Sequence, residues 1–178
     1  MAAICETQVS TRLGAFTIRS SERGVREISF SAGENADRNG RRNSGAKPAA
    51  ANRASEGRES AAQSRKWAKQ AARELREYAA GERTKFTVPL DLDGTAFQRR
   101  VWKALCSIPY GQTRSYGEIA RQVGSPRAAR AVGMANHDNP VCIVVPCHRV
   151  IAGDGSLGGY AVGLKTKSAI LDLEKAHA

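Results

Sequence analysis

The apolar-rich runs Leu13 to Ile18 and Val25 to Phe30 are separated by polar residues around Arg23-Gly24. They read as two short strands and predict an antiparallel hairpin in outline. The pattern then lapses. Positions 32 to 63 are rich in Gly, Ala, Ser, Asn and Arg and nearly devoid of large apolar side chains, which predicts a flexible surface insertion. From Ser64 to Ala80 a helical stripe of Trp67, Ala71, Leu75 and Tyr78 takes over, with Gly81 as its stop. A third strand is expected over Phe86 to Leu92.

Beyond Asp93-Gly94, Thr95 is placed to cap a helix running to Cys106 that turns Phe97, Val101, Trp102 and Leu105 inward. A short helix, Ser115 to Val123, and a second, Arg127 to about Asn136, flank the breaker Gly124-Ser125-Pro126 in the outline of a helix-turn-helix. The most apolar run, Val141 to Val145, reads as a buried strand ended by Pro146. No internal repeat is visible.

With 178 residues the chain can hold one ordinary domain or two small ones, here divided as 1–92 and 93–178. Its 28 Lys and Arg against 17 Asp and Glu give a net charge of +11, which favours a polyanionic partner, nucleic acid first. The excess is spread over both halves, so charge by itself decides little. No apolar stretch is long enough to span a bilayer, and Met1 to Thr7 lacks the features of a signal peptide. A soluble protein without a membrane partner is expected, cytoplasmic, and nucleoid-associated in a prokaryote or nuclear in a eukaryote. Cysteines at 5, 106, 142 and 147 suit free thiols in a reducing compartment, and the histidines at 137, 148 and 177 do not combine with them at metal-ligand spacing. No metal and no cofactor are expected.

The chemistry concentrates at Pro146-Cys147-His148-Arg149-Val150. A thiol beside an imidazole and a guanidinium is expected to favour thiolate, the nucleophilic form. A buried, inert cysteine is the alternative. The second helix of the pair carries Ala128, Ala129, Ala131 and Gly133 on its outer face, where major-groove readers carry long polar side chains. Small residues allow close approach in a minor groove, with Arg130 free to project between bases, or else to serve as a surface ion-pair partner.

From Phe97 to Glu174 the chain resembles the O6-alkylguanine-DNA alkyltransferases. The resemblance rests on Phe97-Gln98-Arg99-Arg100-Val101-Trp102, Ile108-Pro109-Tyr110-Gly111, Ser115-Tyr116, Ala129-Arg130-Ala131-Val132-Gly133, Asn139-Pro140, Ile143-Val144-Val145-Pro146-Cys147-His148-Arg149-Val150 and Gly159-Tyr160. It implies an α+β and α/β architecture: a small ribonuclease-H-like amino-terminal α/β domain, then a mainly helical, winged-helix-like helix-turn-helix domain. It implies a monomer acting on double-stranded DNA that carries O6-alkylguanine, chiefly O6-methylguanine, with O4-methylthymine as a further substrate. The base is flipped out of the stack and its alkyl group passes irreversibly to Cys147 in a single-turnover SN2 step.

By the same resemblance, Glu174, His148, a water and Cys147 form a relay, and Tyr116 crowds the target phosphate and protonates the departing guanine. Arg130 fills the vacated stack, while Ser115 and the small residues of its helix, Ala128, Ala129, Ala131 and Gly133, meet DNA. Asn139 is the hinge between recognition helix and nucleophile. Asn136, Arg149, Val150, Tyr160, Ala161 and Val162 complete the substrate pocket, with the carbonyls of Cys147 and Val150 accepting from the exocyclic amine. Val162 and Asn136 depart from the pattern; the first is expected to narrow access for bulky groups, and the second puts stacking on the base in doubt. Cys5 lacks the histidine partners of the zinc site that some relatives hold. Two rivals stand beside this reading: a non-catalytic lesion-binding relative with an inert Cys147, and a cysteine hydrolase using Cys147 and His148.

Overall fold

The computed structural model describes residues 4–31 and 54–178. Strands β1 (Cys5–Thr11), β2 (Gly14–Ser21) and β3 (Gly24–Phe30) form an antiparallel meander in that order. The expected hairpin is β2 and β3. The edge strand β1 was not anticipated, because Val9 is its only fully buried residue among polar neighbours.

Helix α1 (Ala54–Ala80) lies across one face of the sheet and buries Ala71, Leu75 and Tyr78 against Phe16, Ile18, Val25 and Ile28. Removing each large apolar side chain from water is worth about 1.5–3 kcal/mol. Polar clamps fix its angle: Trp67 Nε1 donates to the Glu22 carbonyl at 2.9 Å and Ser20 Oγ to the Ser64 carbonyl at 2.7 Å. Positions 54–63, expected within the flexible insertion, are helical. Ala, Glu, Arg and Gln favour a helix without needing an apolar stripe, so a reading keyed to burial passes over them. Positions 32–53 of that insertion lie outside the described residues.

The segment expected as a third strand is extended but pairs only at Leu90, beside Val25. The fully buried Glu74 accounts for this, because its carboxylate takes the amides of Thr87 at 2.9 Å and Val88 at 3.2 Å. Those donors are no longer free for a ladder, and Pro89 has none. A Cβ on Gly24 would sit 2.5 Å from the Pro89 carbonyl oxygen, so only glycine permits this approach.

The carboxy-terminal part packs α2 (Ala96–Cys106), α3 (Tyr116–Gln122), α4 (Ala129–His137) and α5 (Leu164–Ala176) around Val101, Leu105, Ile119, Val132 and Ile170. Thr95 with Gln98 and Ser115 with Glu118 form capping boxes that start α2 and α3. Trp102 Nε1 donates to the Ala135 carbonyl at 2.8 Å and so locks α2 to α4. A parallel pair, β4 (Arg114–Ser115) and β5 (Val150–Ile151), joins the start of α3 to the chain just after Cys147. Across the molecule, Ile28 donates to the Pro140 carbonyl and accepts from the Cys142 amide, so β3 buttresses the segment leading to Cys147. Among the described residues no helix is long and apolar enough to cross a membrane.

Candidate active site

The apolar run before Cys147 is a tight turn, not the strand its composition suggests. Asn139 closes it: Nδ2 donates to the Val145 carbonyl at 2.8 Å, and Oδ1 accepts from the Val141 amide at 3.0 Å. Val145 also returns a hydrogen bond to the Val141 carbonyl. The reversal forces Ile143 to a φ of 71°, a left-handed conformation that β-branched residues rarely adopt. Such strain persists only where the surroundings impose it, here beside the nucleophile.

Cys147 opens a single 3-10 turn, Cys147–Arg149, and is 5% exposed. It lines a cleft of about 1110 Å³ together with Asn136, Asn139, Cys142, Tyr160, Ala161 and Val162. The far wall is β3, through Ile28 and Phe30. Burial pushes the Cys147 thiol above its ordinary value, although Asn139, Lys167 and Tyr160 pull the other way. The expected thiolate is therefore a thiol in the unliganded protein. Its basic neighbours fail to ionise it because both are engaged elsewhere.

That engagement centres on Glu174, fully buried on α5. His148 Nε2 lies 2.9 Å from Glu174 Oε1, and Arg149 grips both carboxylate oxygens at 2.8–3.1 Å. Tyr78 donates to Oε1 at 2.5 Å and the Gly111 amide to Oε2 at 3.1 Å. Burial alone would raise this carboxyl, but the hydrogen bonds from His148 and Arg149 outweigh it and hold the group at about 2. Burial lowers His148 below its usual value despite Glu174, so the imidazole is neutral at neutral pH. Its Nδ1 is buried with no protein partner.

The remaining expected residues fall in several places. Arg149 and Val150 do not line the cleft; Arg149 points to Glu174 and to the Ile108 carbonyl at 2.7 Å. Tyr116, at the start of α3, is half-buried between Gly133 of α4 and Gly158. A Cβ on Gly158 would come within 3.2 Å of that ring, and its φ of 64° also favours glycine. Burial, then the proximity of Cys147, raises the Tyr116 phenol. Ser115 is occupied as the α3 cap. Arg130 and Ala131 are exposed on α4, and Arg130 makes no ion pair among the described residues.

Two residues of the site were missed. Tyr78 was read as packing alone, although a buried phenol needs a hydrogen-bond partner. Lys167 is fully buried, and its ammonium donates to the carbonyls of Val150 at 2.5 Å, Leu157 and Gly159, bracing the cleft-wall loop. Burial lowers it to about 8, with Cys147 opposing. Its signal in the sequence is its place on the inward stripe with Ile170 and Leu171.

Family models bear on what this arrangement belongs to. Residues 4–92 match "6-O-methylguanine DNA methyltransferase, ribonuclease-like domain", and residues 96–176 match "6-O-methylguanine DNA methyltransferase, DNA binding domain". The chain belongs to the 6-O-methylguanine DNA methyltransferase family. Its two-part architecture is that of the family: a ribonuclease-like domain followed by a helical DNA-binding domain. The methylated-DNA–protein-cysteine methyltransferase of Mycobacterium bovis is 63% identical over 105 residues, covering 59% of this chain and 64% of the relative. That of Methanosarcina barkeri is 53% identical over 113 residues, covering 64% and 72%. The matched stretch thus spans just under two thirds of the mycobacterial relative's length. The crystal structure of Mycobacterium tuberculosis O6-methylguanine methyltransferase is 39% identical with a TM-score of 0.75, covering 99% of this chain and 95% of its own. A Mycobacterium tuberculosis complex with DNA is 40% identical with a TM-score of 0.74, covering 96% and 92%.

Proposed function

We propose that this protein repairs O6-alkylguanine in double-stranded DNA, chiefly O6-methylguanine, by moving the alkyl group onto Cys147. The observation that carries the reading is a cleft-lining thiol adjoining a buried His148–Glu174 pair whose far imidazole nitrogen has no protein partner. Small residues and the exposed Arg130 on α4, a net charge of +11, and a solved relative complexed with DNA support the duplex as substrate. Small residues let α4 approach the minor groove closely, and Arg130 takes the place of the base that rotates into the cleft.

The resting site holds a thiol, a neutral imidazole and an ionised carboxylate, so the proton leaves sulfur as the reaction begins. His148 Nδ1 receives it through a bridging water while Glu174 steadies the imidazolium. The sulfur forms a bond to the alkyl carbon as the carbon–O6 bond breaks. Tyr116 gives its proton to the departing purine and recovers one from the relay, so the thiol proton ends on guanine. The product thioether has no facile hydrolytic exit, which makes the protein a single-turnover reagent.

Repair stoichiometry tests this. Excess duplex containing O6-methylguanine is incubated with the protein, and demethylated oligonucleotide is counted by chromatography. One guanine restored per protein molecule, then arrest, is expected. Continued turnover, or tight binding with no restored guanine, overturns the reading.

A further inference from the structure

The outer face of α1 carries charge of one sign. Arg58, Arg65, Lys66, Lys69, Arg73 and Arg76 are all exposed. At 3.6 residues per turn their positions fall within about 100° of the helix circumference and along about 27 Å of its length. No acid falls inside that arc. Glu59 and Glu77 stand at its border, and Glu77 reaches Arg73 at 3.6 Å. The other five cations make no ion pair among the described residues, although the Lys66 ammonium lies 4.9 Å from the Trp67 ring.

A solvated helix face ordinarily mixes signs so that neighbours four residues apart attract. Here Arg65, Lys69 and Arg73 follow one another at that spacing and repel. The helix bears this because its other face is anchored, with Ala71, Leu75 and Tyr78 buried against the sheet. A partner dense in negative charge turns the same crowding into attraction.

Geometry selects among polyanions. A helix that lies on a membrane buries an apolar face in lipid, but that of α1 is already covered by the sheet, and no large apolar side chain stands within the basic stripe. A duplex needs none. It is straight over such a distance, and one of its strands presents about eight phosphates in about 27 Å. The stripe is also no extension of α4. Helix α1 covers the sheet face that carries Phe16 and Ile18, whereas Arg19 and Glu27, which line the cleft, point from the opposite face.

We propose that the exposed face of α1 is a second, sequence-independent DNA-binding surface, which holds a neighbouring duplex segment while α4 probes another. This goes beyond the repair reading, because the contact requires neither a lesion nor Cys147. Two separate holds let the protein pass from one segment to the next without leaving DNA.

The number of duplexes bound tests this. The native protein and a variant carrying Arg58→Gln, Arg65→Gln, Lys69→Gln and Arg76→Gln are each mixed with excess undamaged duplex of about 12 base pairs, which spans the stripe with little overhang. Sedimentation velocity counts the duplexes per protein as salt is raised from about 50 to about 200 mM. The native protein is expected to bind two, the second weakening about 10²-fold over that range, the scale of about four phosphate contacts, and the variant to bind one. Single-turnover methylation of Cys147 by O6-methylguanine in a short duplex should be unchanged in the variant, which also shows that it is folded. Lys69→Gln with Arg76→Gln repeats the comparison should the fourfold variant not fold. Equal numbers of duplexes with equal salt dependence in native and variant protein overturn the proposal. So does a stripe that holds phosphatidylserine vesicles but no second duplex. A single duplex on the native protein that the variant loses would keep the α1 surface and count against α4 instead, so the two failures are told apart.

Discussion

Replacing Glu174 with glutamine tests the buried charge network through its pH dependence. The carboxyl stands at about 2 in the folded protein, well below its ordinary 4.5. A depressed carboxyl stabilises the fold fully above its unfolded value and loses that contribution as pH falls through its folded value. At 1.36 kcal/mol per unit, the site contributes about 3 kcal/mol at neutral pH, lost progressively between pH 4.5 and 2. Glu174→Gln forfeits this and leaves Arg149 buried with only the Ile108 carbonyl and the amide oxygen as partners, which brings the expected cost at pH 7 to about 3–5 kcal/mol. Urea unfolding of both proteins from pH 7 to pH 2.5 is the assay. The stability gap should be widest at pH 7 and narrow steadily below pH 4.5. A gap that stays constant across that range would refute the network as described. At pH 7 the same variant should also slow methyl transfer by about 10²-fold or more, the scale of general-base assistance.

Other outcomes follow from neighbouring contacts. Arg130→Ala should slow repair of duplex far more than reaction with a free O6-alkylguanine base, compared by single-turnover rates, and equal losses would remove its flipping role. Lys167→Met should speed hydrogen exchange across 157–160 and slow methyl transfer, because the carbonyls of Val150, Leu157 and Gly159 lose their shared donor. Without DNA, Cys147 should react more sluggishly with a small alkylating reagent at pH 7 than an exposed thiol does, and its rate should keep climbing with pH beyond the point where an ordinary thiol levels off, since burial raises it. Trp102→Ala should cost about 3–5 kcal/mol in urea unfolding, from lost packing and the orphaned Ala135 carbonyl.

The helices of the carboxy-terminal half were legible because their caps are local. Thr95 with Gln98 and Ser115 with Glu118 each sit three residues apart and announce where α2 and α3 begin. What escaped depends on side-chain hydrogen bonds that no hydrophobic pattern reveals. Val141 to Val145 has the composition of a strand, but Asn139 bonds both ends and turns it back on itself. Phe86 to Leu92 loses its ladder to Glu74 on α1, a carboxylate about a dozen positions earlier that no local pattern links to it. The resemblance grouped Cys147 and His148 with Glu174, and the structure brings His148 and Glu174 together at 2.9 Å. The ionisation of Cys147 was not legible, because adjacency in sequence to His148 and Arg149 suggested a favourable field that both residues spend on Glu174. Tyr78 and Lys167 lie on stripes otherwise filled by apolar residues, where burial is visible but a polar tip's destination is not.

The most direct test is to locate the transferred group. After reaction with duplex containing O6-methylguanine, the protein is digested and its cysteine peptides are sequenced by mass spectrometry. Cys142 shares the cleft with Cys147 but lacks the adjoining relay. The account predicts one methyl group, on Cys147 alone, and none in Cys147→Ser. A methyl on Cys142, or a native protein returned with every thiol unmodified after repair, would contradict it.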